Sequence, residues 1–342
     1  MDFGYPKQPV YEARIHIGHL QQQCAAILEG FLSDASFTIL DRSYDTLTIK
    51  TKIQQYFDTL HLEPTIQQDL LPFIDFSAYV GVTFYPHATH EIQAAVGIFN
   101  TYATVIDDKS CGIGPSLRYF TTQLASSQPQ KHPFLQHFQQ FIKSECPRLF
   151  GPFAGDMILK SVLDFISISH YEMVEEERGN QPECLPDAPL FAEYVRLKSG
   201  LAETYAYFVF PENLYPESKY LQTYMPTIPY LRQFIDYTND ILSFYKEELA
   251  GERFNFIHNS AQSGHCSTAQ SLEDLCKRTI DIIEHIRVLS SKDAKMLADI
   301  EQFIQGYILM HLGTSRYRLV ELALNGVERA RECLRGKIDS VT

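Results

Sequence analysis

"NDILSFYKE", residues 239–247, poses the question on which the fold turns. In an α-helix, Asn239, Ser243 and Glu247 project from one face and set three oxygen-bearing side chains along about 12 Å at 1.5 Å per residue. Such a row is either a solvated stripe or a polar line inside a core. The flanks favour the second, because "LRQFIDYT" (231–238) before it and "ILSFY" (241–245) within it are rich in apolar and aromatic residues. A polar row in a core needs partners. Mg²⁺ meets that need with a few protein oxygens, water and substrate phosphate.

Working outward, the 342 residues are 45% hydrophobic, enough to bury a sizeable core. A net charge of −13 without any Lys/Arg block excludes nucleic acid or an anionic membrane as the main partner. The first thirty residues lack the pattern of a signal peptide, and no apolar stretch reaches the roughly 18 residues that span a bilayer. A cytoplasmic protein is expected, and a homodimer is compatible with the sequence. Seven scattered cysteines (Cys24, Cys111, Cys146, Cys184, Cys266, Cys276, Cys333) form no CxxC and read as reduced, structural thiols.

Helical patterns dominate the chain and strand-like alternation is scarce. Helices are expected over 89–107, 132–146, 154–176, 187–200, 227–247, 267–290 and 292–326. Asp187 and the capping box Ser267 with Gln270 mark two starts. Loops are expected at 108–116, 177–190 and 250–267. The architecture implied is all-α, one domain over 1–342, with the N-terminal 75 or so residues weakly assigned. With no Trp, 23 Phe and 20 Tyr supply the aromatic surface.

Two further constellations carry chemistry. In "TYATVIDDKSCGIGPS" (101–116), Asp107 and Asp108 close an apolar helix that Gly112, Gly114 and Pro115 stop. Adjacent carboxylates at the negative end of a helix dipole form either a surface turn or one wall of a cation site. In "HLGTSRYRL" (311–319), Arg316 and Tyr317 interrupt the last long helix, as a surface pair or as two donors for a phosphate oxygen.

Together these residues resemble class I terpene cyclases, in particular the trichodiene synthase-like group of fungal sesquiterpene synthases. The resemblance runs from about residue 79 to 321 and includes "SVLDF" (161–165), "YVRLKSGLAE" (194–203), "NDILSFYKEELAGER" (239–253) and "IEQFIQGYILMHLGTSRYRL" (300–319). It implies a single-domain helical bundle around a central apolar cavity. It further implies that Asp107, with Asp108 as a further candidate, helps bind two of three Mg²⁺ ions. Asn239, Ser243 and Glu247 would chelate the third. Lys246, Arg316 and Tyr317 match residues that grip the diphosphate, and Arg196 matches one that senses it beside a helix break. Gly200 is placed to make that break, and Pro211 to stop the segment that follows.

The implied reaction is ionisation of farnesyl diphosphate and cyclisation to a C15 hydrocarbon or alcohol, as in fungal secondary metabolism. Helix location suggests Phe73, Phe76, Phe99, Tyr102 and Tyr205 as cavity rings that stabilise the cation. One departure stands out: where the group has D-D-x-x-D or D-D-x-x-E, this chain reads "DDKSC", with Cys111 in the last acidic position. A chain-elongating prenyl diphosphate synthase and a non-catalytic helical prenyl-binding protein are the alternatives. His87 and His90 in "PHATHE" read as a helix-start cap and a surface residue rather than as a hydrolase site.

Overall fold

In a computed structural model, the described residues are 10–40, 42–178, 188 and 190–335, with side chains from residue 17 onward. Every regular element among them is helical. The order is α1 (Val10–Asp34), α2 (Thr46–Thr59), α3 (Pro64–Phe84), α4 (His90–Asp107), α5 (Gly114–Ala125), α6 (Pro133–Phe150), α7 (Pro152–Glu177) and α8 (Leu190–Ser199). There follow α9 (Ala202–Tyr207), α10 (Glu217–Tyr224), α11 (Ile228–Ala250), α12 (Phe256–Gly264), α13 (Thr268–Ser290), α14 (Ala294–Gly313) and α15 (Val327–Arg335).

Helix α4 is the axis of the bundle. Every residue from Ile92 to Ile106 is buried, a pattern only a helix surrounded on all sides sustains. Each large aliphatic side chain removed from water there contributes about 1.5–3 kcal/mol. The start is fixed by Thr89, whose hydroxyl accepts from the backbone N–H of Ile92. Helix α3 runs back along α4, α2 and α14 pack on α3, and α11 lies against α9 and α13. The closest approach is α14 on α3: a Cβ on Gly306 would lie 1.7 Å from the Thr83 carbonyl oxygen, so only glycine fits.

Several expectations are met and others corrected. Ser267 caps α13, but the Gln270 side chain turns to Asp274 (3.0 Å) and does not close the box. The helix expected to 326 stops at Gly313. Thr314 is extended and Arg318 and Ala323 take left-handed backbone angles, so the chain continues in short 3₁₀ turns. The loop expected over 250–267 holds α12, capped by Asn255. Gly114 and Pro115 open α5, with proline in the first turn where its missing N–H costs nothing. The N-terminal region forms α1 to α3, with α1 on α11 and α13.

The cap at Asp187, Cys184 and most of the loop 177–190 lie outside the described residues. The other six cysteines are free, with Cys24, Cys146 and Cys276 buried. The cap before α4 is Thr89 and not a histidine; His87 is half-buried and bonds the Val209 carbonyl (3.0 Å). Among the described residues no helix is long and apolar enough to cross a membrane.

Candidate active site

Helices α3, α4, α7, α8, α9, α11, α12 and α14 enclose a cavity of about 420 Å³. Its floor and mouth follow from helix register. On α4, Asn100, Ala103, Thr104 and Asp107 line it at helical spacing, placing Asp107 about 10 Å nearer the mouth than Asn100. On α3, Phe76, Val80 and Phe84 share one face and descend about 12 Å. The floor is aromatic: Phe84 lies 4.5 Å from Tyr307 and 6.3 Å from Tyr205, ring centre to ring centre. The Tyr205 hydroxyl donates to Asn100 Oδ1 (2.6 Å), and the Asn100 amide donates to Ser77 and Thr104, so these buried polar atoms are satisfied.

The mouth is polar. Asp107 from the end of α4 and Asn239 and Glu247 from α11 line the same cavity, joined by Arg316 and Tyr317 from the turn after α14 and by Arg196 from α8. Arg316 reaches back to Asp108 (3.7 Å) and lies over the Phe76 ring (5.4 Å). The Lys246 amine stands 3.6 Å from Glu247, whose other oxygen accepts from Asn255 (3.0 Å). Ser243 sits behind the wall, its hydroxyl buried and without a hydrogen-bond partner. Phe76 and Tyr205 line the cavity as expected. Phe73, Phe99 and Tyr102 do not: Phe99 packs on Phe138 and Phe208, and Tyr102 belongs to a ring cluster with Phe57, Phe134 and Phe138.

Arg196 is held at a break. Helix α8 ends at Ser199, Leu201 takes a left-handed φ of 52°, and α9 begins at Ala202. A Cβ on Gly200 would lie 2.2 Å from the Arg196 guanidinium, so glycine lets the arginine lie against the turn. The guanidinium bonds Asp240 (2.8 Å) and the Asp236 backbone carbonyl (2.9 Å) and pairs with the Asp236 carboxylate (3.1 Å). Desolvation opposes its charge, but Asp236 and Asp240 outweigh that and raise its pKa.

Carboxylates crowd the mouth. Burial, with Asp107 opposite, pushes Glu172 up to about 7. Desolvation and Asp108 raise Asp107, and desolvation aided by Glu247 raises Glu252. Glu172 and Glu252 carry no signal in the sequence, because one sits near the end of α7 and the other in the loop after α11, where acidic residues read as ordinary surface; Asp240 lies inside α11 beside Asn239, and its pairing with Arg196 joins segments 44 residues apart. His311 carries no sequence signal either. It is buried and neutral, its pKa depressed to about 3 by desolvation with Lys246 and Arg316 adding to the effect. Cys111 is not among the lining residues; it occupies a left-handed turn (φ 56°) beyond α4.

Among the described residues no three His, Cys, Asp or Glu side chains gather closely enough to hold an ion unaided. The α11 row, however, offers an amide and a hydroxyl beside its carboxylate. The orphaned Ser243 oxygen and the raised carboxylates suit a hard cation, whose charge would satisfy both.

The trichodiene synthase (TRI5) family profile matches residues 36–332. The (E)-beta farnesene synthase of Metarhizium brunneum is 33% identical over 323 residues, covering 94% of this chain and 96% of its own. Monoterpene synthase 25 of Postia placenta is 31% identical over 259 residues, 75% of each chain. A crystal structure of linalool/nerolidol synthase from Streptomyces clavuligerus in complex with 2-fluorogeranyl diphosphate superposes with a TM-score of 0.58. At 12% identity, over 78% of this chain and 98% of that one, it shows the shared fold. The profile match over most of the chain and the full-length relative place it in one group: this chain belongs to the trichodiene synthase family and is a terpene synthase, a lyase acting on a prenyl diphosphate.

Proposed function

We propose that this enzyme ionises farnesyl diphosphate in a Mg²⁺-dependent reaction, cyclises the cation to a C15 hydrocarbon or alcohol, and releases diphosphate. The observation that carries the reading is one cavity with an aromatic floor and, at its mouth, Asp107 facing the α11 row. The farnesene synthase activity for which the M. brunneum relative is named and the 2-fluorogeranyl diphosphate bound in the Streptomyces structure support a farnesyl chain and a diphosphate head.

Asn239, Ser243 and Glu247 on one wall and Asp107, with Asp108, on the other would hold three Mg²⁺ ions. When bound, these supply Lewis-acid pull on the leaving diphosphate and neutralise its charge. Lys246, Arg316 and Tyr317 hold the diphosphate oxygens, with Arg316 and Lys246 aimed at charge that grows during departure. Arg196, beside the Gly200 break, senses the anion. Phe76, Phe84, Tyr205 and Tyr307 turn ring faces or edges into the hollow, where the faces stabilise a cation and the apolar walls exclude water.

The test is incubation of the purified protein with farnesyl diphosphate, with and without Mg²⁺, and mass spectrometry of the organic extract. Cyclic C15 products that require the metal are expected. Open-chain C15 products would keep the ionisation and remove the ring closure. Longer prenyl diphosphates, or no product alongside tight prenyl binding, would replace the reading by chain elongation or by simple binding.

A further inference from the structure

We propose that His311 is a positioning residue that fixes the side-chain amide of Asn239 with its oxygen, and not its nitrogen, facing the cavity. The inference rests on the reading of Asn239 as a magnesium ligand.

A backbone carbonyl only accepts hydrogen bonds. His311 Nδ1 lies 2.7 Å from the carbonyl oxygen of Tyr307, so Nδ1 carries the ring hydrogen. A neutral imidazole then presents a bare lone pair at Nε2. Asn239 Nδ2 lies 3.3 Å from it, and the asparagine is the only partner of the two able to donate. Its amide is thereby oriented, with Oδ1 left free for the cavity that Asn239 lines. Rotating the amide by half a turn would set Oδ1 against Nε2, two acceptors facing each other. No water is available to repair that, because His311 is 1% exposed.

The imidazole itself cannot turn away. Its ring lies between those of Tyr307 (4.7 Å) and Tyr317 (4.3 Å), centre to centre. The Tyr307 hydroxyl donates to the carbonyl oxygen of Ile235 (3.0 Å), one turn before Asn239 on α11. Helix α14 thus grips α11 at two levels, once through backbone and once through the ligand side chain. An asparagine without such a partner would present nitrogen as readily as oxygen, and nitrogen of an amide does not bind a hard cation.

The experiment compares His311→Leu, which removes the acceptor, with His311→Gln, which can present an acceptor oxygen from the same backbone position. Calorimetry reads the Mg²⁺ dependence of inorganic diphosphate binding, and steady-state kinetics with farnesyl diphosphate separate kcat from KM. His311→Leu should need about 10-fold to 100-fold more Mg²⁺, the usual effect of losing a group that orients a ligand. His311→Gln should stay close to wild type. Adding Asn239→Asp to the leucine variant should restore much of the affinity, since a carboxylate shows oxygen whichever way it turns. If the leucine variant does not fold, His311→Phe keeps a ring between the two tyrosines and removes both nitrogens, making the same test. The proposal is overturned by an unchanged Mg²⁺ dependence in the variant lacking the acceptor, by equal losses in the leucine and glutamine variants, or by no rescue from Asn239→Asp. Absence of Mg²⁺-dependent diphosphate binding in the wild type would instead overturn the proposed function.

Discussion

The two ends of the cavity obey opposite rules. At the floor, polar atoms are answered within the protein: the Tyr205 hydroxyl, both ends of the Asn100 amide and the Tyr307 hydroxyl all have partners. At the mouth the account is left open, with the Ser243 hydroxyl unpartnered and Asp107, Glu172 and Glu252 held above their ordinary carboxylate range. A satisfied region serves shape and stability, and an unsatisfied one stores a demand for something the chain lacks. Substitutions should therefore separate cleanly into those that cost stability and those that cost function.

The largest effect belongs to the mouth. Asn239→Ala or Glu247→Ala is expected to abolish measurable turnover while the helical circular dichroism and thermal midpoint barely move. A collapse of the fold instead would make the α11 row structural. Next comes the floor: Phe84→Ala should lower stability by about 3–5 kcal/mol in denaturant unfolding. Mg²⁺-dependent diphosphate binding should persist wherever that variant is folded, and its loss would erase the distinction between the two ends.

A smaller effect sharpens the comparison through pH. The folded pKa of Glu172 is raised to about 7, so the protonated form favours the fold. The contribution is fully present below the ordinary carboxylate pKa near 4.5 and is lost as pH rises through about 7. The metal-free wild type should accordingly lose stability between those limits, on the order of 1–3 kcal/mol, relative to Glu172→Gln. Parallel stability curves for the two proteins would remove Glu172 from the strained set. Smallest of all, Cys111→Asp should change the Mg²⁺ dependence less than about twofold, since Cys111 does not line the cavity. A tighter metal response would bring that turn into the site.

The same contrast explains what the sequence made legible. Periodicity exposed the Asn239 row because polar residues interrupt an apolar helix at four-residue spacing, and Ser267 announced a helix start through local chemistry, whereas the cap before α4 reads in the sequence as a histidine and is Thr89 in the fold. The aromatic floor was read poorly. Phe99 and Tyr102 sit on the same helix as Asn100 and Asp107 but on faces turned to other helices, and which face meets a cavity is settled by packing between distant segments. His311 lay hidden for the same reason, since its partner is 72 residues away. The overlong helix at 292–326 was a local error: a glycine and an extended threonine ended it where apolar periodicity went on.

The contact at Gly306 has a consequence for how such an enzyme diversifies. With α14 seated directly on the backbone of α3, those two walls are already at their limit of approach, and a side chain at that position would force them apart. Along that seam the hollow can be recontoured only by exchanging the rings that project from a fixed frame, such as Phe84 and Tyr307. New product outlines would then arise from single replacements, while the helical scaffold passes unchanged from one variant to the next.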